Sequence, residues 1–353
     1  MSQPLPRRAY RLYIGVDIAA ATFDAAWQPP DASPTSARTF QQTPADVTRF
    51  QQQLQATGVA PAATLVVLEA TGSYWVALAV SLHAAGYVVS VVNPAQVHAW
   101  AKSLPRRSKT DALDAQLLAQ FAAERRPAPW TPPPAIYHEL RQRLVARDGL
   151  LEMRQQARNQ LHALVQWPVV VAAVQAQLEA VIATLDEQIQ ALDAAIGAVL
   201  VDSAWAASAR RLQSIPGIGL ITAAWILVAT VQVTTCPTAE AAVGYAGLTP
   251  LKGDSGTSVR RGPQLGHGGH GRLRTALYMA TLSAAQHNPV IKTFYDRLRA
   301  AGKPGCPLGE VARCAAARKL LHLAFAVVTK EQDFDPSFKQ LPSSVLAGLE
   351  IAA

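Results

Sequence analysis

Apolar residues first arrive in short, unbroken runs. Arg11-Leu12-Tyr13-Ile14-Gly15-Val16-Asp17 reads as a buried strand ending on a carboxylate. A second strand is expected near Thr22 to Trp27, after a turn too short for a helix, and a third near Ala37 to Phe40. From Thr43 to Gln55 the spacing becomes helical, with Val47, Phe50 and Leu54 on one side and Thr43 as the cap. Thr64-Leu65-Val66-Val67-Leu68-Glu69 is another apolar run, and it too closes on an acid. A helix from about Ser73 to Ala85 is stopped by Gly86; a strand from Tyr87 to Val92 is ended by Asn93-Pro94. A helix near Ala95 to Ala101 precedes a basic stretch, and then comes a helix with Leu113, Leu117, Leu118 and Phe121 on its apolar side. Three strands, then helix and strand in alternation, specify a mixed α/β sheet between helical layers.

The pattern changes after the Pro-rich link from Arg125 to Pro134. Leu140, Leu144, Leu151, Leu161 and Leu164 predict one long helix, broken at Trp167-Pro168. Val171, Val174, Leu178, Leu185, Ile189, Leu192, Ile196 and Leu200 then recur near every 3.5 residues, a coiled-coil seam. That seam fits a hairpin within one chain as well as a joint between two. From Ala207 the chain is mainly helical. Ser214-Ile215-Pro216-Gly217-Ile218-Gly219 has the form of a helix-hairpin-helix turn, in which Gly217 and Gly219 would let backbone amides approach a phosphate; a plain glycine-rich corner between helices has the same composition. A helix near Glu240 to Ala246, a glycine-rich basic segment from Gly247 to Gly271, and helices over Leu273–His287, Ile291–Arg299 and Leu308–Lys330 complete it. The expected divisions are a flexible 1–10, an α/β domain over 11–125, linker and coiled coil over 126–206, a mainly α domain over 207–332, and a tail.

With 353 residues, half of them hydrophobic and 16% charged, the chain is globular and long enough for two or three domains. No apolar run reaches membrane-spanning length, and no signal peptide is recognisable, so a cytosolic place is expected. Three cysteines without CxxC spacing indicate neither a disulfide framework nor a zinc site. The net charge of +8 is unevenly spread: Lys252 to Lys319 holds twelve Lys or Arg against Asp254, Asp296 and Glu310. Such density is the footprint of a polyanion, with nucleic acid the first candidate.

Asp111 and Asp114, three residues apart on a helix, share a face. Taken alone they read as the acidic first turn of a solvated helix. Asp17 and Glu69, both at strand ends, change that. Four carboxylates from three elements, in the topology of a ribonuclease-H-like domain, would repel one another unless a cation lay among them. Oxygen-only ligands select Mg²⁺ or Mn²⁺ over zinc, and a pair of such ions stabilises both oxygens of an in-line phosphoryl displacement.

Gly15-Val16-Asp17, Leu68-Glu69-Ala70-Thr71-Gly72, Val92-Asn93-Pro94 and Lys109-Thr110-Asp111-Ala112-Leu113-Asp114-Ala115 resemble the RuvC-like N-terminal domain of the DEDD transposases of bacterial insertion sequences, the insertion sequence one-ten family. Ser214 to Gly219, Tyr245-Ala246-Gly247-Leu248-Thr249-Pro250, Ser255-Gly256 and Arg272 to Tyr278 are similar to that family's C-terminal transposase domain. The resemblance implies a transposase that cuts and rejoins double-stranded DNA, with the four acids as catalytic metal ligands. It further implies a serine, matched by Ser255 with Ser258 as the local rival and a plain turn serine as the other reading, that attacks DNA and forms a covalent link, and guidance by an element-encoded bridge RNA. Arg106, Arg107, Lys109, Arg260, Arg261, Arg272 and Arg274 would contact nucleic-acid backbone and not read bases. The coiled coil would join protomers, as a dimer or dimer of dimers, so that a serine from one meets the acids of another. One departure is visible: where relatives have a Ser-Lys-x-Gly-Asn/His run, this chain has Leu265-Gly266-His267-Gly268-Gly269-His270-Gly271. His267 and His270 lack the further ligands a metal site needs and read as polar loop residues or phosphate donors.

Three other readings compete. A RuvC-type junction nuclease would hydrolyse with metal and never use serine. An actin-like ATPase or sugar kinase would share Ile14-Gly15-Val16-Asp17 but needs a later glycine-rich phosphate loop, which is missing before residue 125. A non-catalytic DNA-binding adaptor built on the coiled coil would have no use for four ordered acids.

Overall fold

A computed structural model describes residues 10–70, 72–103, 111–255, 259–265, 268–301 and 310–337; the side chains of 111–113, 251–255, 259–265 and 310 fall outside the description. The chain divides into two compact units, 1–132 and 133–353.

The first unit is built on a five-stranded sheet. Its strands are β1 (Leu12–Ile18), β2 (Thr22–Gln28), β3 (Arg38–Gln41), β4 (Thr64–Glu69) and β5 (Val88–Val92), in the order β3-β2-β1-β4-β5. β2 runs antiparallel to β1 and to β3, whereas β1, β4 and β5 are parallel. This is the mixed order of ribonuclease-H-like domains. Strand side chains alternate between faces, and both faces of β1 are used. Leu12, Ile14, Val16 and Ile18 join Phe23, Phe40, Leu68 and Val89 in one core, against α1 (Pro44–Gln55) and α2 (Trp75–Ala84). Phe23 stacks on Phe40 with centroids 5.1 Å apart, and Phe50 of α1 meets Phe23 edge-on at 5.3 Å. Thr43 caps α1 by accepting from the Asp46 amide. The opposite face, with Tyr13, Leu65, Val67 and Val92, packs on α3 (Pro94–Ala101) and α4 (Asp111–Arg125).

The second unit starts with two 30-residue helices, α5 (Ala135–Leu164) and α6 (Ala172–Val201). They lie antiparallel, because Arg147 pairs with Asp193 while Arg154 and Arg158 pair with Asp186. Arg154 above all holds the Asp186 carboxyl below the usual carboxylate range. Only one end of this hairpin is well buried. Leu140, Leu144, Ile196 and Leu200 share a core with α7 (Ala206–Gln213), α8 (Leu220–Thr230), α9 (Ala239–Ala246), α10 (Gly271–His287) and α12 (Glu310–Thr329). Ile291 brings α11 (Pro289–Ala300) into that core. At the other end Trp167 is 68% and Val169 78% exposed. Among the described residues no single helix is long and apolar enough to cross a membrane.

The glycine-rich basic segment holds an element that its sequence does not announce. β6 (Pro250–Ser255) and β7 (Val259–Leu265) form an antiparallel ribbon, with an irregularity between Leu251 and Gly253. Lys252, Gly253, Asp254, Arg260 and Arg261 give it no apolar alternation, so the usual strand signal is absent.

Candidate functional site

The acids of the first unit are brought together by its sheet register and by one glycine. Asp17 is paired with Asp24 across β1 and β2, and Asp24 with Thr39 across β2 and β3. On the other side Val16 is level with Leu68, so Asp17 and Glu69 follow as neighbours on adjacent parallel strands; Glu69 in turn is paired with Val92. Paired residues face the same way, so one rung of the sheet reads Thr39, Asp24, Asp17, Glu69, Val92. Strands about 4.8 Å apart put three carboxylates in a row.

Helix α4 crosses the same face. A Cβ on Gly15 would lie 2.1 Å from the Ala119 amide nitrogen and 2.2 Å from the Ala115 carbonyl oxygen. Only glycine permits that approach. Ala26, opposite Gly15 on β2, packs with Ala115 and Ala119. Arg126, just past the end of α4, lies over the Tyr13 ring at 6.0 Å, so the helix runs antiparallel to β1. Four residues back from Ala115 is about 6 Å of helix, and two residues on from Gly15 is about 6.6 Å of strand. Asp111 therefore begins α4 at the level of Asp17, with Asp114 beside Ala115.

Backbone placement thus gathers the N-terminal turn of α4 and the ends of β1 and β4. Among the described residues, no three acidic, histidine or cysteine side chains close on a single point; the Asp111 side chain lies outside that statement. The donors are all oxygens, as a hard divalent ion requires. Asp24 was not singled out from the sequence. Its hydroxyl partner, Thr39, donates to Oδ1 at 2.5 Å. Its place depends on the hairpin: a tight turn over Ala19–Ala21, with the Ala19 amide bonded to the Thr22 carbonyl, sets Asp24 opposite Asp17.

In the second unit, Ser255 ends β6 at the hairpin loop. Arg106, Arg107, Lys109 and His267 lie outside the described residues, as do the side chains of Ser255, Arg260 and Arg261. Gly217 has φ +101°, and a Cβ there would be 2.5 Å from the Ala284 Cβ, so it lets the turn before α8 sit on α10. Gly219 is exposed and caps α8 without any side-chain acceptor for the first amides. Arg272 pairs with Asp148 at 2.9 Å and lies over Trp225. Arg274 donates to the carbonyls of Gly268 (2.8 Å) and Ala246 (3.3 Å). His270 caps α10: its Nδ1 accepts from the Leu273 amide at 3.1 Å. Burial above all, with the charges of Arg141, Arg272 and Arg274, pulls its pKa below the usual histidine value. A neutral ring with Nδ1 as acceptor carries its proton on Nε2. Around it Gly247 and Gly269, both at positive φ, approach so closely that a Cβ on Gly269 would be 2.5 Å from the Gly247 nitrogen.

Residues 14–167 match the model of the DEDD transposases of the IS110 type, described as transposase. Residues 209–296 match that of the transposase IS116/IS110/IS902 family. The chain is 31% identical over 327 residues to the pilin gene-inverting protein of Moraxella bovis, covering 92% of this chain and 98% of the relative. The counterpart from Moraxella lacunata is 30% identical over the same shares. An uncharacterized protein of insertion element IS110 from Streptomyces coelicolor is 35% identical over 167 residues, 47% of this chain and 38% of that one.

Proposed function

Because the chain belongs to the IS110 family of transposases, we propose that it cuts and rejoins double-stranded DNA with Asp17, Glu69, Asp111 and Asp114 as a divalent-metal site and Ser255 as the nucleophile. The observation that supports the reading is that Asp17 and Glu69 end neighbouring strands on one sheet face, over which the contact of α4 on Gly15 holds the first helical turn, the turn that carries Asp111 and Asp114. A bound Mg²⁺ or Mn²⁺ would offset the charge of that row and stabilise charge developing on the phosphoryl oxygens. Ser255 supplies the attacking oxygen. Its Oγ–P bond forms as the bond from phosphorus to a deoxyribose oxygen breaks, the serine proton passing to a basic oxygen and the departing deoxyribose oxygen taking one up. One DNA end stays attached to the protein through the phosphoserine until a second deoxyribose hydroxyl reverses the exchange. No bond energy is lost to water, which suits rejoining.

The remaining parts follow the same reading. A bridge RNA carries the site choice, and Arg260, Arg261 and Arg272 contact phosphates. Arg274 does so only if it leaves its two carbonyl partners. The α5–α6 hairpin joins protomers, supported by the exposed Trp167 and Val169 at its far end. The relatives named for inverting a pilin gene favour one extension: inversion and excision use the same cutting and rejoining and differ in the relative orientation of two sites.

The test is trapping. Full-length protein with Mg²⁺, bridge RNA and a DNA substrate should give a covalent protein–DNA adduct resistant to denaturation. Ser255→Ala should abolish the adduct and Asp17→Ala should suppress it strongly. Adducts that persist in Ser255→Ala would overturn the serine assignment; cleavage without any adduct would favour the junction-nuclease reading.

A further inference from the structure

The last helices carry cations that the reading above does not use. Phe294 of α11 is shared by two: Lys319 Nζ lies 4.7 Å from its ring centroid and the Arg297 guanidinium 5.6 Å. One residue on, Tyr295 does the same. The Arg299 guanidinium lies 5.8 Å from its ring, and Arg313 of α12 bonds to it and to the Tyr278 hydroxyl, the latter at 3.3 Å.

Aromatic faces hold cations in place by their quadrupole but leave the charge intact. Among the described residues none of Arg297, Arg299, Arg313, Arg318 and Lys319 takes part in an ion pair. Asp296, the sole acid in the α11 sequence, is bound by Lys292 at 2.8 Å. On α12 the buried Arg318 Nε and His322 Nε2 have no hydrogen-bond partner. Burial, and then the charge of Arg297, pulls the Lys319 ammonium below its usual range. Like charges so gathered raise the energy of the free protein, and an anion would lower it. α12 and these two arginines of α11 also lie past residues 209–296, which the family model matches.

We propose that the α11–α12 face seats the sugar–phosphate backbone of double-stranded DNA, with Arg297, Arg299, Arg313 and Lys319 each meeting a phosphate. The inference rests on the reading of the chain as a DNA recombinase and adds a surface to it. Two clusters of cations, one braced by Phe294 and one by Tyr295, suit contacts with successive backbone phosphates. Nothing in the set reads bases, so binding here is independent of sequence.

The test is anisotropy titration of the full chain against a 30-base-pair duplex of arbitrary sequence over a range of salt. For Arg297→Gln/Lys319→Gln the slope of log K against log salt should fall by about 1.8, at about 0.9 per phosphate contact, with affinity near 0.1 M salt down about 60-fold. Lys292→Gln should leave slope and affinity unchanged, and Lys319→Arg should keep the slope. If Lys319→Gln disturbs the thermal melt, the exposed pair Arg297→Gln/Arg299→Gln carries the same expectation. An unchanged slope in a folded variant, beside a steep one in the wild type, overturns this surface and leaves the recombinase reading intact. A loss confined to an RNA hairpin of equal length overturns the assignment to DNA. A wild-type chain that binds no duplex at any salt removes both.

Discussion

Gly15→Ala is the sharpest perturbation that the first unit allows. The added methyl would lie 2.1 Å from the Ala119 nitrogen, 2.2 Å from the Ala115 oxygen and 2.7 Å from the Leu118 carbonyl carbon, where ordinary contact begins near 3.4 Å. All three are backbone atoms, so no side-chain rotation relieves the clash and α4 must retreat by about 1.2 Å. Overpacking of this kind costs about 1–3 kcal/mol, which for a unit of this size lowers Tm by about 4–12 °C. The retreat also draws the first turn of α4 away from Asp17. A displacement of about 1 Å in a catalytic constellation costs on the order of 100-fold in rate. Calorimetry gives the first number; adduct formation per folded molecule, measured well below the variant's Tm, gives the second. A wild-type Tm would refute the packing of α4 on β1. A lowered Tm with normal adduct formation would refute the claim that this packing sets the acids.

Asp24→Asn removes one of two carboxylates directly opposite each other on β1 and β2, so without divalent ion Tm should rise by about 1–4 °C, the equivalent of a few tenths to one kcal/mol, and the further rise on adding Mg²⁺ should shrink. Equal Mg²⁺ response in variant and wild type would place Asp24 outside the ion's influence. Gly149→Ala, in mid-α5 with open space where the methyl would go, should stabilise the second unit by about 1 kcal/mol; a loss would mean the helix is not regular there. His270 has a folded pKa below its unfolded value near 6.5, so the unfolded chain binds the extra proton, and stability should be constant above about pH 6.5 and fall as pH drops below it. His138 and His322, also lowered, add to the same slope. His270→Asn keeps a cap acceptor that does not titrate, and chemical denaturation between pH 5 and 7 should show a shallower acid loss than the wild type.

The strands of the first unit were legible because each is an apolar run closed by a turn or a charge, and Asp17 and Glu69 stood out as the charges. The same reading passed over Asp24, since a lone acid inside Thr22–Gln28 gains meaning only once the hairpin register sets it opposite Asp17. The role of Gly15 is tertiary: its sequence neighbours are apolar, and nothing local says that a helix about a hundred residues later needs the space. The first long helix is visible from its leucines and the second from its 3.5-residue spacing, whereas their antiparallel pairing rests on charges, Arg147 with Asp193 and Arg154 with Asp186, that no periodicity links. The β6–β7 ribbon was hidden by its own composition. Basic residues taken as one nucleic-acid set part company in the structure: Arg274 is committed to two carbonyls, while Arg297 and Lys319 share one ring.

The touching backbones of Gly247 and Gly269, with Arg274 strapped across the seam, close off the chain between them like a purse string. The roughly twenty residues inside leave the helical bundle and return to it at a single point. Loop-closure cost grows only as the logarithm of length once the ends are fixed. Residues could therefore be added to or removed from the β6–β7 excursion with little effect on the bundle, provided the two glycines remain. Relatives are free to differ in how far they extend the arm that bears Ser255 while keeping the knot at its shoulder.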